Sequence, residues 1–354
     1  MCSNQYIGQK IRAARKMRGW SLDELHDRLA NMPAIIPHVP LSKQSLSKYE
    51  RGVVIPSGDT LQNLAYVFKL PVFFFFKPFK FTLDDAEYRK TTKMSKSELE
   101  RIKILTQERL ERYFTIEEIC GIAQQNIVRT IVKEEKDVYL LAKKLREDWN
   151  LGLDGIVNVI ETMEAHGIKV IETDTVSTFD GMSATVNGIG VIIINKGFAP
   201  ERKRFTSLHE LGHILMDLNE YNHETTEKYC NLFASEVLLP RDVFISMFGQ
   251  KRHDISLYEL RYLQSLYGIS ADALMYKARK ENIISIQRYK YFNIKKNSDA
   301  LFKAEVEKSI FQNETSFRQE NLVFKALNSD LISCSRAAEL LSSDLKTVSD
   351  NILV

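Results

Sequence analysis

The chain has 354 residues, enough for two or three domains. Its net charge of +3 is small beside 49 basic and 46 acidic residues, so any surface for nucleic acid must be local. The 4 cysteines are far apart in sequence, which argues against a disulfide framework. No apolar run approaches the roughly 18 residues of a membrane span. We therefore expect a cytoplasmic protein with no membrane partner.

Residues 5–70 predict four short helices. The first lies within QYIGQKIRAARKMRGWS, whose apolar residues recur at helical spacing, and Ser21 with Glu24 is a capping-box signature for the second. Ser42 is placed to cap a third helix in SKQSLSKYERG, and a fourth follows in DTLQNLAYVFKL. Residues 1–70 hold ten Lys or Arg against five Asp or Glu, so this segment is locally basic.

This succession resembles the Xre/Cro-type helix-turn-helix in three motifs, IRxxRxxxGxS, SxxSxSKYERG and PSxxTLxxLAxxF. The resemblance implies a DNA-binding domain over residues 1–76, with double-stranded DNA as a partner and the third helix as recognition helix. Four residues would face the major groove: Lys43, Gln44, Ser45 and Lys48. A helical bundle used only for protein docking is the alternative.

The segment NMPAIIPHVP, near Pro33 to Pro40, is longer and more apolar than the tight turn expected between the second and third helices. It widens the motif, packs against a neighbouring domain or forms a dimer contact, and the sequence leaves these three roles open. Residues 77–135 follow as a charged helical connector and a candidate oligomerisation surface. A homodimer is therefore an open expectation.

The segment 204–217, RFTSLHELGHILMD, carries the clearest chemical signal. On an α-helix His209 and His213 lie one turn apart on the same face, so both imidazoles can bind one cation. Glu210 would be the general base on the metal-bound water. Asp217 is a candidate to hydrogen-bond a metal-binding residue and so orient it. This is the HExxH arrangement of zinc peptidases; a core helix with a buried histidine and a surface glutamate is the alternative.

A catalytic zinc site needs a third protein ligand. Glu227 begins another helix 14 residues after His213, and we predict that it is this ligand. Asn231 lies one turn further on the same face and is expected to orient a metal-binding histidine. Glu236, nine residues from Glu227, falls on the opposite side of the helix. Three loop residues stay alternatives as the ligand: Glu220, His223 and Glu224.

Together, RFTSLHELGH and ExxCNxFAxExLLP resemble the ImmA/IrrE family of zinc metallopeptidases, and the resemblance covers residues 136–286. It implies proteolysis of a transcriptional repressor or related regulator in a stress or mobile-element response. Cys230 stands where this family usually has alanine, and we interpret it as a small core residue. Zn²⁺ is the expected cofactor, although Mn²⁺ or another divalent ion also suits these ligands.

The predicted fold is mainly α with a small α+β part. It comprises an N-terminal helix-turn-helix bundle, a central zincin-like metallopeptidase domain with a small sheet beside the metal helix, and a helical C-terminal region over residues 287–354. A hairpin is predicted at Asn187 and Gly188. The run GVIIINKG either accepts a substrate strand at a sheet edge or lies inside the sheet.

The leading hypothesis is a zinc-dependent endopeptidase joined to a DNA-binding domain. The alternative is a DNA-binding regulator whose metal domain senses a ligand, metal or redox state without hydrolysing peptides. A third possibility is an interaction scaffold that holds no metal.

Overall fold

The computed structural model describes residues 3–33, 40–81, 83, 95–174 and 179–352, so the centre of the predicted insertion lies outside the described residues. The chain divides into two compact units: Met1–Ala86 with Lys93–Ile116, and Glu87–Thr92 with Glu117–Val354. The prediction of a mainly helical protein with a small sheet component is confirmed. Within the described residues, no helix combines the length and apolarity needed to cross a membrane. The domain boundaries placed at 76, 135 and 286 stay predictions.

The first unit is built from helices capped as the sequence predicts. Ser21 and Glu24 form a capping box, and the Ser42 hydroxyl accepts the Ser45 backbone N–H at 3.1 Å. Arg15 donates to both carboxylate oxygens of Glu50, at 2.6 and 2.7 Å, and so ties the first helix to the end of the third. The helices are α1 (Ser3–Met17), α2 (Leu22–Ala30), α3 (Lys43–Glu50), α4 (Gly58–Phe68) and the start of α5 (Lys96–Ile119).

Within the predicted helical connector, residues 77–135, the structure has one long helix, α5 (Lys96–Ile119). Gly121 adopts a φ of 67°, a left-handed conformation that stops α5 at Ile119. Residues 122–129 then run without regular structure to a short strand, β1 (Thr130–Ile131).

The second unit contains a three-stranded sheet with the order β2-β4-β3. The strands are β2 (Lys169–Thr173), β3 (Gly181–Val186) and β4 (Ile189–Asn195), with β4 parallel to β2 and antiparallel to β3. Asn187 and Gly188 have φ angles of 50° and 82°, as a two-residue hairpin turn requires, so the predicted hairpin is confirmed. Since β4 is paired on both sides, GVIIINKG is an internal strand and cannot accept a substrate strand.

Two helices of this unit cross beside the sheet. They are α8 (Pro200–Leu215), which packs on β3 and β4, and α9 (His223–Leu238), which packs on α8. They approach closely at Gly212, where an added Cβ would lie 3.4 Å from the Cα of Cys230. A two-residue strand between them, β5 (Met216–Asp217), pairs with β1. The remaining helices are α6 (Glu135–Asp148), α7 (Val159–Ala165), α10 (Arg241–Phe248), α11 (Leu257–Tyr267), α12 (Ala271–Lys280), α13 (Ile286–Ser298), α14 (Ala300–Glu307), α15 (Arg318–Asn328), α16 (Cys334–Leu341) and α17 (Leu345–Asp350).

The first turns of α8 are held by residues 308–315, which we call the anchor segment. Ser309 donates its hydroxyl hydrogen to Glu201 at 2.7 Å, and Arg204 forms an ion pair with Glu314. The two α8 side chains in these contacts are almost fully buried: Glu201 is 4% exposed and Arg204 is 0% exposed. Charges at this depth need partners, because an unpaired buried ion is very costly. The anchor segment supplies those partners at the start of the helix that carries the candidate metal ligands.

Candidate metal centre

Three side chains from α8 and α9 converge on one point. His209 and His213, one turn apart on α8, have their Nε2 atoms 3.1 Å apart. Glu227 on α9 brings one carboxylate oxygen to 3.4 Å from His209 Nε2 and the other to 3.3 Å from His213 Nε2. We call these three residues the ligand triangle.

The size and chemistry of the ligand triangle fit a small divalent cation. A tetrahedral zinc ion with bonds of 2.0–2.1 Å sets neighbouring ligand atoms about 3.3 Å apart. The separation of the two Nε2 atoms, 3.1 Å, is close to that value, and one ligand atom from each of the three residues can be chosen so that all lie within 4.8 Å of one another. Two imidazole nitrogens and one carboxylate oxygen also form the ligand set of catalytic zinc sites that keep a fourth position open.

Consecutive residues of α9 contact the Nδ1 atoms of the two histidines, the ring nitrogens that face away from the ligand triangle. Asn231 Oδ1 lies 3.0 Å from His209 Nδ1, where the sequence placed it to orient a histidine. Cys230 Sγ lies 3.3 Å from His213 Nδ1. The sequence interpretation of Cys230 as a small core residue agrees with its complete burial but missed this contact. A signal was present, because Cys230 and Asn231 are three and four residues after Glu227 and so share its helix face.

Glu210 lies in a confined place between α8 and β3. It is 4% exposed, and the Ser183 side chain is near enough to lower its pKa. A Cβ at Gly181 would lie 2.8 Å from Thr206 Cγ2 and 3.2 Å from Glu210 Cγ, so only glycine leaves room for these α8 side chains. Burial raises the pKa of Glu210, although the charges of His209 and His213 oppose the rise. Sequence reasoning missed both β3 residues; their signal is two small residues alternating on one strand face.

The electrostatics of the ligand triangle favour a cation. Burial alone would raise the pKa of Glu227, but hydrogen bonds from His209 and His213 outweigh it and hold that pKa far below its usual range. Burial alone would lower the pKa of His209, and the hydrogen bond with Glu227 and the charge of Glu210 reverse this, so the pKa is raised. Glu227 is thus ionised at neutral pH and attracts positive charge to the two imidazoles.

The other acidic and histidine candidates lie outside the ligand triangle. Glu236 is buried against Lys277 on the far side of α9. His223 is mostly exposed, with its Nε2 3.9 Å from a Glu227 oxygen. Asp217 lies in β5, where its carboxylate accepts the N–H of Asn219 at 3.3 Å. Two further alternatives are exposed: Glu220, which precedes α9, and Glu224, in the first turn of α9.

The four predicted DNA contacts lie on α3 of the first unit. Lys43, Gln44 and Lys48 are exposed, and the ammonium group of Lys43 lies 2.5 Å from Asp23. Ser45 is half-buried, with its hydroxyl 3.0 Å from that of Ser42. Lys48 and Gln44 therefore have the more accessible polar groups for DNA. Their contact with DNA stays a prediction.

Comparison with known proteins agrees with a metallopeptidase site. The profile of the IrrE N-terminal-like domain, Peptidase_M78, matches residues 163–279, which include β2 to β4, α8 and α9. The chain is also similar to the radiation response metalloprotease IrrE of Deinococcus radiodurans, with 29% identity over 109 residues. That alignment covers 27% of this chain and 33% of IrrE, so the chain spans about a third of the curated relative it matches. The matches support a metallopeptidase domain of the ImmA/IrrE family in this region.

Proposed function

We propose that the protein is a zinc-dependent endopeptidase of the HExxH type, joined to a sequence-specific DNA-binding domain. The observation that carries the proposal is the ligand triangle of His209, His213 and Glu227, whose ligand atoms lie within 4.8 Å of one another. Glu210, the residue after His209, adds a buried carboxylate beside the triangle. The family match over residues 163–279 supports the same chemistry.

His209, His213 and Glu227 would hold the zinc ion, and the chemistry it would supply is Lewis acidity, toward water and toward a peptide carbonyl. Glu210 takes up the proton of the attacking water and delivers it to the leaving amine. The Glu210 carboxylate is buried between α8 and β3, near the Ser183 side chain. Mn²⁺ or another divalent ion is compatible with the same ligands.

The first unit supports a substrate that acts in transcription. Its recognition helix, α3, presents exposed Lys43, Gln44 and Lys48, and residues 1–70 are locally basic. A peptidase carried by a DNA-binding domain is concentrated near proteins bound to the same DNA. We therefore propose a transcriptional repressor or related regulator as substrate, in a stress or mobile-element response.

The test is cleavage of the regulator encoded beside this gene, with zinc added or chelated, followed by the mass of the products. Glu210→Gln should retain zinc and lose cleavage by about 10²- to 10⁴-fold, the usual contribution of a general base. Glu224→Gln, an exposed carboxylate on the same helix as Glu227, is the control and should cleave normally. Wild-type cleavage by Glu210→Gln would reject Glu210 as the base.

The second candidate is a DNA-binding regulator whose metal domain senses a ligand, metal or redox state without hydrolysis. The observation behind this candidate is the Cys230 thiol beside His213, because a change at this buried sulfur would act directly on a metal-binding residue. Stoichiometric zinc with no cleavage of any candidate regulator would support it. Absence of stoichiometric zinc would instead support a scaffold.

A further inference from the structure

Zinc binding would decide which residue is the hydrogen-bond donor in the contact between Cys230 and His213. A neutral imidazole carries one N–H, and the nitrogen that binds a metal must present a lone pair. Because His213 Nε2 faces Glu227 at 3.3 Å, zinc in the ligand triangle requires the proton on Nδ1. That N–H then needs an acceptor.

The surroundings of His213 make Cys230 that acceptor. His213 is 3% exposed and Cys230 is fully buried, so bulk water does not reach Nδ1 from this side. Sγ lies 3.3 Å from Nδ1, a suitable distance for an N–H donor and a sulfur acceptor. His209 has the equivalent arrangement, with the oxygen of Asn231 at 3.0 Å from its Nδ1. Neighbouring residues of α9 therefore contact the Nδ1 atoms of both histidines.

We propose that Cys230 is a positioning residue for the metal centre: its Sγ accepts the Nδ1–H of His213 and fixes the tautomer that turns Nε2 toward the metal. The inference rests on the metal centre of the proposed function. It goes beyond that function because it assigns a role to a residue that departs from the ImmA/IrrE pattern, where alanine is usual. The hydrogen bonds behind metal-binding histidines commonly govern ligand orientation and basicity.

A role of Cys230 in packing alone predicts a different zinc affinity for the Cys230→Ala variant. Cys230 is fully buried and its Cα lies at the crossing of α8 and α9, and alanine is small enough to replace cysteine there. If Cys230 only fills space, Cys230→Ala should leave zinc affinity unchanged. If it positions His213, the same variant leaves the Nδ1–H without its acceptor, and the tautomer with the proton on Nε2 competes with zinc binding.

The experiment measures zinc affinity of the full chain by competition with a chromophoric chelator. Cys230→Ala should bind zinc about 10-fold more weakly, the lower end of the range for such partners because sulfur is a weak acceptor. Cys230→Ser keeps a small side chain with an acceptor and should restore most of the affinity. Cys334→Ala removes a thiol elsewhere in the second unit and is the matched control. Thermal unfolding of the metal-free variants checks that each is folded.

A second readout reports the tautomer directly. Nitrogen-15 NMR of labelled histidines distinguishes a protonated Nδ1 from a protonated Nε2, and zinc-loaded wild type should show Nδ1–H for His213. In metal-free Cys230→Ala, the population with Nε2–H should rise relative to wild type. Neither readout depends on peptide cleavage.

The outcomes separate this inference from the proposed function. Equal zinc affinity of Cys230→Ala and wild type would overturn the positioning role and leave the peptidase proposal intact. Equal weakening of the Ala and Ser variants would also overturn it, since an acceptor would then make no difference. Failure of the wild-type chain to bind zinc would overturn both.

Discussion

Arg204 tests how buried ion pairs stabilise α8, the helix that carries His209 and His213. Its guanidinium is fully buried, forms an ion pair with Glu314, and donates to the carbonyl oxygens of Ile156 at 2.7 Å and Tyr267 at 3.1 Å. Arg204→Met keeps a long apolar side chain but removes the charge and every N–H donor. We predict a large loss in the free energy of unfolding of the second unit.

The magnitude follows from what remains after the substitution. Glu314 is 3% exposed, and removing one partner of a buried ion pair costs about 3–5 kcal/mol. Glu314 still accepts the N–H of Val159 at 2.9 Å, and burial raises its pKa, so protonation can relieve part of the charge. We therefore expect the lower end, about 3 kcal/mol. Adding Glu314→Gln should recover part of the loss, because the second variant removes the uncompensated charge.

Arg202→Met is the matched control on the same helix. Arg202 pairs with Asp180 at 2.6 Å, but both side chains are more than half exposed, so its loss should cost at most about 1 kcal/mol. Urea unfolding followed by Trp149 fluorescence, in a Trp20→Phe background, reports on the second unit alone. A loss for Arg204→Met no larger than that for Arg202→Met would refute the role of the buried pair.

Three further predictions concern the two candidate sites. Zinc at 100 times its Kd should stabilise the wild type by about 2.7 kcal/mol; Glu227→Ala should lose this gain in thermal unfolding, and an undiminished gain would exclude Glu227 as a ligand. Gly181→Ala places a Cβ 2.8 Å from Thr206 Cγ2 and 3.2 Å from Glu210 Cγ, so these α8 side chains must move, and peptide cleavage should fall on the order of 10-fold with zinc affinity retained; unchanged kcat/KM would show that the shift does not reach the Glu210 carboxylate. In fluorescence anisotropy, Gln44→Ala should weaken binding to the specific operator by about 1–3 kcal/mol, whereas Lys48→Ala should weaken binding to all sequences and lower the salt slope by about 1. The DNA assignment fails if neither variant differs from wild type.

The geometry of the metal centre was accessible from the sequence because its parts are local. His209 and His213 are one turn apart, and Glu227 and Asn231 are one turn apart on the next helix. Helical periodicity therefore fixes each pair before any tertiary contact is known. Only one long-range event, the packing of α9 on α8, is needed to bring the three ligand candidates together.

Features that depend on tertiary contacts could not be predicted from the sequence. The internal position of β4 depends on strand pairing, which a single apolar run does not specify. The contact of Cys230 with His213 depends on where two helices cross. Charged residues usually lie at a helix surface, yet Glu201 and Arg204 are both buried because the anchor segment, more than 100 residues later, supplies partners for them.

The anchor segment also sets an order of events during synthesis. Arg204 and Glu314 are separated by 110 residues, so a ribosome completes the metal helix long before it makes the carboxylate that neutralises it. Until residues 308–315 emerge, the first turns of α8 keep their charges in water rather than in the interior. The nascent chain therefore carries both histidines without a fully supported helix. If the proposed peptidase activity is present, it should therefore arise only late in translation, once residues 308–315 are made.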